Sequence, residues 1–577
     1  MSLSNLRVAV PALNVDDNDL QVVESVFSQI PPNWASLVVL PFGFPSGENA
    51  EQRLAQWSRR LGCFLIGGFT HNEKKVAVIF SPEGHRIGEY EQTHRLPGET
   101  FCEGNTLAPI ETPLGRIGLS IGSDIYFPEI HWSLAQQGAD FLVHLDGLPE
   151  CHDHFYSVLS PTGRAFDTNL PFLLARPTSR QTKLVHNEEF SISGTPMVGS
   201  VILDQNGTTL ASTGYSSGVA LAMLRFDQRC YPPEPVGNMV LYGGCGVWKL
   251  YFNDSRDRFF GPLRQPYAPK PKPVYAKRKI RVAVLSHRYE VQVGHPTFLS
   301  LVEEACRHQP DVIVATEMEQ GCRPDDPLIA TAIESALEMT RKVGSWLIIG
   351  GVRILDKNLD ANATSDRRVS TGVLWDRQGK QVHTSRIMLY GRGNGQQVYD
   401  TDFGRIGIRL CGDVYAPELD RLFAMQGADI VFNPSMSWGA SGQVNTLLNQ
   451  ARAMDNGHYV VSAHLAFSDP GQRSHVVDPT GAVVAASPYY TDGVLVADID
   501  LDARRGIFIP DPTQPPKAVP EEIYLKSYRN GLSHRLIPHQ ELFAHRRPEL
   551  YDKLDDDRSD HPYTTRHNGM NTLQASI

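Results

Sequence analysis

The sequence predicts an α/β protein in which one domain occurs twice in tandem. Three observations carry that expectation. First, "LSIGSDIYFPE" (Leu119–Glu129) returns as "IRLCGDVYAPE" (Ile408–Glu418), with aspartate, tyrosine and Pro-Glu in step. The offset, 411 against 122, is 289 positions, and "TPLGRIGLSIGSD" and "QGADFLV" keep it against "TDFGRIGIRLCGD" and "QGADIVF". Second, the copies open alike, "NLRVAVPAL" near the start and "KIRVAVLSH" from Lys279. Third, short β-branched runs alternate with helical patterns in each copy.

The second copy shows the order best. "IRVAVL" reads as a strand, and "PTFLSLVEEACRH" as a helix with Phe298, Leu301, Val302 and Ala305 on one face. "DVIVAT" (Asp311–Thr316) is a further buried strand, followed by "SWLIIGGV" and "STGVLW". Strand pairs without a helix, such as "SHVVDPTGAVVAA", come later and suggest a mixed sheet with helices outside. Cys306 lies beside the core face of its helix and reads as packing. Between the copies, "GPLRQPYAPKPKPVYAKRK" is rich in proline and lysine and has no apolar period, as in a semi-rigid linker. The expected division is 1–255 for the first domain, 256–278 for the linker, 279–505 for the second domain and 506–577 for a C-terminal extension.

Composition sets limits on function. At 577 residues more than one core is expected. A net charge of −10 and a pI near 6.1 argue against a nucleic-acid surface. No apolar run reaches membrane-spanning length, and the N-terminal stretch does not read as a signal peptide. The eight cysteines show no CxxC pairs, which suits reduced thiols in a cytoplasm. No metal-ligand spacing links His458, His464 and His475, "GRGNG" (Gly391–Gly395) reads as a turn, and no cofactor is called for.

Two residues in the second copy bear chemistry. Cys411 follows the strand "RIGIRL" and precedes a helix start, where backbone N–H groups can lower a thiol pKa. Glu317 ends the strand "VIVATE". Taken singly, Cys411 reads better as a buried inert cysteine and Glu317 as a surface carboxylate.

Together with their surroundings they resemble the nitrilase, or carbon–nitrogen hydrolase, superfamily. The resemblance rests on "VIVATE", on "IRLCGDVYAPE", on "RAMDN" (Arg452–Asn456, with "RAFD" at Arg164–Asp167 in the first copy) and on the terminal "HRRPELY" (His545–Tyr551). It covers nearly the whole chain, twice. It implies two four-layer αββα sandwiches packed as a pseudo-dimer, and pairing surfaces for a homo-oligomer. It also implies catalysis by Cys, Glu and Lys: the glutamate takes the thiol proton, the thiolate attacks an amide or nitrile carbon, and a cation stabilises the oxyanion.

The departures from the family pattern are informative. In the first copy Phe42, Gln92 and Gly122 stand where Glu, Lys and Cys belong, and the nearby acids Glu48 and Glu99 restore no nucleophile. In the second copy Glu317 and Cys411 are present, and aligning "GKQVHTSRIMLYG" on its Gly-Lys turn puts Arg386 at the lysine's place, with Lys380 left in the turn. Arginine keeps the charge and its forked donors but cannot give up a proton. Gly412 replaces the usual aromatic, Asp455 the usual Glu, and no acid precedes Asp400 in the loop before Cys411. Gly412, Met436 and Trp438 are candidate substrate contacts.

The expectation is a thiol-dependent hydrolase of a small amide, carbamoyl compound or nitrile, with a Cys411 thioester and a non-catalytic first domain. The alternative is a non-catalytic scaffold or small-molecule-binding protein on the same fold.

Overall fold

The computed structural model describes residues 5–13, 20–147, 154–177, 199–214, 217–226, 261–318, 322–355, 368–386, 397–436, 441–466, 473–503, 506–510 and 534–555. The chain divides into two compact units, Met1–Val247 with Ile507–Ile577, and Trp248–Gly506. The C-terminal extension therefore belongs to the first unit and the Pro/Lys-rich stretch to the second.

The second unit is built on two six-stranded sheets. One runs in the order Gln381–Arg386, Arg368–Trp375, Trp346–Leu355, Val312–Glu317, Lys279–Ser286 and Gly493–Asp500. The other runs Tyr399–Asp400, Arg405–Ile408, Ile430–Pro434, Tyr459–Ala463, His475–Val477 and Val483–Ala486. Alternation of side chains along each strand gives every sheet two apolar faces. Ile280, Val282 and Val284 from the first sheet meet Ile406, Ile408, Phe432 and Val461 from the second in an inter-sheet core. On the outer face, Ala283, Leu285, Ile313 and Ile349 pack against the helices Pro296–Arg307 and Pro327–Val343, and the predicted stripe Phe298, Leu301, Val302 and Ala305 is buried there. The far face of the second sheet, through Val460 and Val477, meets Ala453 of the helix Ser441–Asn456. The result is four layers, αββα.

Local signals start and stop these helices. The His295 ring accepts from the Thr297 N–H at 3.2 Å, and the Asp326 carboxylate from the Leu328 N–H at 2.9 Å, each just before a proline that needs no N–H partner. Gly344, at φ 66°, ends the second helix in the left-handed conformation.

The first unit repeats both sheets in the same order: Arg86–Glu91, Lys74–Phe80, Phe64–His71, Leu37–Phe42, Asn5–Ala12 and Gly218–Arg225, then Ile110–Thr112, Gly115–Ile121, Phe141–Leu145, Phe172–Ala175, Val201–Leu203 and Thr209–Ser212.

Of the linker expected at 256–278, residues 256–260 lie outside the described residues. The rest is anchored on the second unit: Lys272 pairs with Asp429 at 2.8 Å, Lys277 with Asp311 at 2.7 Å, and Arg278 with Asp429 at 3.1 Å. Among the described residues no helix is long and apolar enough to cross a membrane.

Candidate active site

Glu317 closes its strand, with its Cα paired to Gly350 on the neighbouring strand. The side chain is buried, and the Ser370 hydroxyl donates to its Oε1 at 2.9 Å. Cys411 opens a 3-10 turn, Cys411–Tyr415, with φ 43°. Few residues other than glycine adopt that left-handed backbone. The turn is braced from both ends: the Asp413 carboxylate accepts from the Leu410 N–H at 3.1 Å, and the Arg452 guanidinium donates to the Val414 carbonyl at 3.2 and 3.0 Å.

This backbone brings the half-buried Cys411 thiol to the Glu317 carboxyl, with which it hydrogen-bonds. The Ser435 hydroxyl and the Met436 backbone N–H also meet the sulfur. Burial first, then the negative charge of Glu317, hold the thiol well above its ordinary range, while the two donors pull the other way. The resting pair is thus a thiol facing a carboxylate. Three other described thiols are shifted chiefly by burial. Cys63 and Cys322 are pushed up to about 12 and Cys306 to about 11, chiefly by burial, as packing residues are.

The sequence-predicted residues therefore divide. Glu317, Cys411 and Met436 come together; Gly412 is the second residue of the turn; Trp438 and the Gly391–Gly395 stretch lie outside the described residues. Sheet register bears on the alignment that put Arg386 at the lysine's place. In the second unit Thr371 pairs with Arg386 and Gly372 with Ser385; in the first unit Val76 pairs with Glu91 and Ala77 with Tyr90. The strand ends correspond, so Arg386 matches Glu91, and the counterpart of Gln92 is the next residue, Ile387, outside the described residues. Strand alternation then fixes the direction. Ser385 donates to the Ile408 carbonyl at 2.7 Å on the inter-sheet side, and Gly372 faces Ile408 and Leu410 there. Arg386 lies across from Thr371, which alternates with Val373 and Trp375 of the outer core.

Sequence reasoning missed Ser370 and Ser435. The signal for Ser370 is parity in "VSTGVL", where Ser370, Gly372 and Leu374 share the inter-sheet face. His458, His464 and His475 are buried; His458 Nε2 lies 3.2 Å from Asp420 Oδ1 and His475 Nε2 3.0 Å from Asn449.

The first unit keeps the brace with glycine and phenylalanine at the positions of Cys411 and Glu317. Gly122 opens the turn Gly122–Tyr126 at φ 49°, Asp124 accepts from the Ile121 N–H at 2.9 Å, and Arg164 donates to the Ile125 carbonyl at 3.0 Å. Phe42 pairs with Gly68 as Glu317 does with Gly350, and its ring packs on Gly68 and Gly147. The terminal "HRRPELY" also sits in this unit. Arg546 forms a buried ion pair with Glu129 at 2.6 Å, Arg547 donates to the Thr93 carbonyl at 3.0 Å, and Tyr551 Oη lies 2.6 Å from His94 Nε2.

A profile of the carbon–nitrogen hydrolase family matches the chain twice, at residues 26–228 and 279–507. Human deaminated glutathione amidase is 26% identical over 307 residues, 48% of this chain and 84% of that protein. The Bos taurus protein of the same name is 27% identical over 265 residues, 42% and 71% of the two chains, and an omega-amidase from Danio rerio 26% over 213 residues, 31% and 77%. Among solved structures, an amidase from Nesterenkonia sp. aligns with 41% of this chain and 97% of its own, at 19% identity and a TM-score of 0.33. With one match per repeat, together covering more than half its length, the chain belongs to the carbon–nitrogen hydrolase family.

Proposed function

We propose that the second unit hydrolyses a non-peptide carbon–nitrogen bond of a small amide through a thioester on Cys411, and that the first unit is its non-catalytic partner. The observation that carries this reading is Cys411 itself, held at φ 43° against Glu317. A left-handed non-glycine residue costs on the order of 1–3 kcal/mol and persists where it serves a purpose. At the same point the first unit has glycine, which adopts that backbone freely.

In the proposed cycle Glu317 takes the Sγ proton as sulfur attacks the carbonyl carbon. The tetrahedral oxyanion collapses, the C–N bond breaks, and the amine leaves with the proton from Glu317. Water, deprotonated by Glu317, then attacks the thioester, and the sulfur leaves with that proton. Neutral donors carry the charge: the Ser435 hydroxyl and Met436 N–H at the sulfur, and the Gly412 N–H at the head of the turn for the oxyanion. Ser370 holds the base in place. The names of the amidase relatives support small amides as the substrate class. A free thiol nucleophile suits the reducing cytoplasm.

The non-catalytic reading draws on one observation, the match of Arg386 in register to Glu91 and not to Gln92. Release of ammonia or amine from a panel of small amides decides between them. The proposal expects turnover by the wild-type chain and none by Cys411→Ala; a panel without turnover, or equal rates for both, overturns it.

A further inference from the structure

We propose that His287 and Thr316 are positioning residues for the reaction, and that the hydrogen bond between them aims Glu317 at Cys411. The inference rests on the Cys411 chemistry proposed above. Glu317 follows an extra residue in its strand. Val314 pairs with Ile348 and Glu317 with Gly350, so Ala315 and Thr316 together stand opposite Ile349. Such a bulge breaks the alternation of side chains and re-aims the residue beyond it. The neighbouring strand presses closely on the far side. A Cβ on Gly350 would lie 3.1 Å from Glu317 Cα, and one on Gly351 would strike the Met318 backbone nitrogen. With that side fixed, the backbone at Thr316 sets where the Glu317 side chain points.

The first unit has the same bulge, with Val39 on Ile66 and Phe42 on Gly68, and holds it in another way. Pro41 stands at the position of Thr316, and its ring fixes φ there. A threonine leaves that torsion free. In the second unit the Thr316 hydroxyl is tied instead, 2.9 Å from Nε2 of His287, and both residues are buried. The other ring nitrogen sets the tautomer: Nδ1 lies 3.0 Å from the Arg288 carbonyl, which can only accept. Burial favours the neutral ring, so Nε2 accepts and Thr316 donates. The ring is itself anchored. The His287 carbonyl accepts from the Ala466 N–H at 2.8 Å, and the Arg288 N–H donates to Asp492 at 2.8 Å. Just past the matching strand the first unit has Leu13, in its apolar core. Histidine and threonine thus accompany Glu317, while leucine and proline accompany Phe42.

The test reads turnover and alkylation against pH in the full-length chain, with alkylation followed on the peptide containing Cys411. Thr316→Val keeps the shape and removes the donor; His287→Leu removes the acceptor. Each should lower kcat about tenfold with KM little changed, the worth of one hydrogen bond. Each should also move the alkylation profile toward that of Glu317→Gln, because a carboxylate turned aside no longer holds the thiol up. Thr316→Ser keeps the hydroxyl and should match the wild type. The two threonine variants decide alone if His287→Leu fails to fold. A folded Thr316→Val chain with the wild-type kcat and profile overturns the proposal, as does a Thr316→Ser chain no better than Thr316→Val. An unchanged profile in Glu317→Gln itself would overturn the Cys411–Glu317 pairing, and this inference with it.

Discussion

Gly122 and Cys411 occupy the same point of the same turn, at φ 49° and 43°, each braced by an aspartate that accepts from the N–H at the strand end and by an arginine on the turn's penultimate carbonyl. The brace is what folding demands: without it the turn's buried backbone groups lose their partners. The thiol is not demanded by folding, since glycine fits the position at less cost. The neighbours differ in the same sense, Phe42 against Glu317 beside the thiol's place, and Lys75 against Ser370, which register aligns. Both units thus keep the fold's hydrogen bonds, while the facing Cys411 and Glu317 pair has Gly122 and Phe42 as its counterparts in the first unit.

The comparison is broken most severely by removing the chemistry alone. Cys411→Ala and Glu317→Gln should each lower turnover by about ten-thousandfold or more, because nucleophile and base act as one unit. Glu317→Gln should also speed alkylation of Cys411 at about pH 8. Its carboxylate charge helps hold the thiol up, so removing it lowers the thiol pKa and raises the thiolate fraction. Slower alkylation would separate the two groups.

The next effect falls on the brace of the first unit. Arg546→Ala strands the buried Glu129 carboxylate and should cost about 3–5 kcal/mol. Hydrogen exchange should show the loss in the helix Pro128–Gln136 before any in the second unit; loss spread evenly over both would contradict the tail's assignment. A smaller loss follows from Ser370→Ala, which removes a hydrogen bond to a charged base. That should lower kcat about ten- to a hundredfold with KM little changed, and Ser370→Thr should recover part of it. Arg386→Ala should change turnover by about twofold or less, because register puts it one position before the lysine's place.

That last expectation marks where sequence reading stops. The duplication, the helix stripe at Phe298–Ala305 and the positions of Glu317 and Cys411 were legible because buried periodicity and repeated motifs fix them. Arg386 was not. "QVHTSR" is a half-exposed edge strand whose polar residues alternate with no apolar signal, so nothing in the sequence sets which face each one takes. Ser370 was hidden for a related reason: a serine in a strand declares itself only once the carboxylate across from it is known. The "HRRPELY" segment was legible as a motif, but its place in the first unit rests on Glu129 and His94, more than 400 residues upstream.

The central claim is that the acyl group is carried by Cys411 and by no residue of the first unit. Rapid acid quench during turnover, followed by intact-mass and peptide analysis, tests it most directly. The account predicts an increase equal to the acyl group, located on the peptide containing Cys411 and absent from the Cys411→Ala chain. Turnover with no adduct at Cys411, or an adduct on a first-unit cysteine, would contradict it.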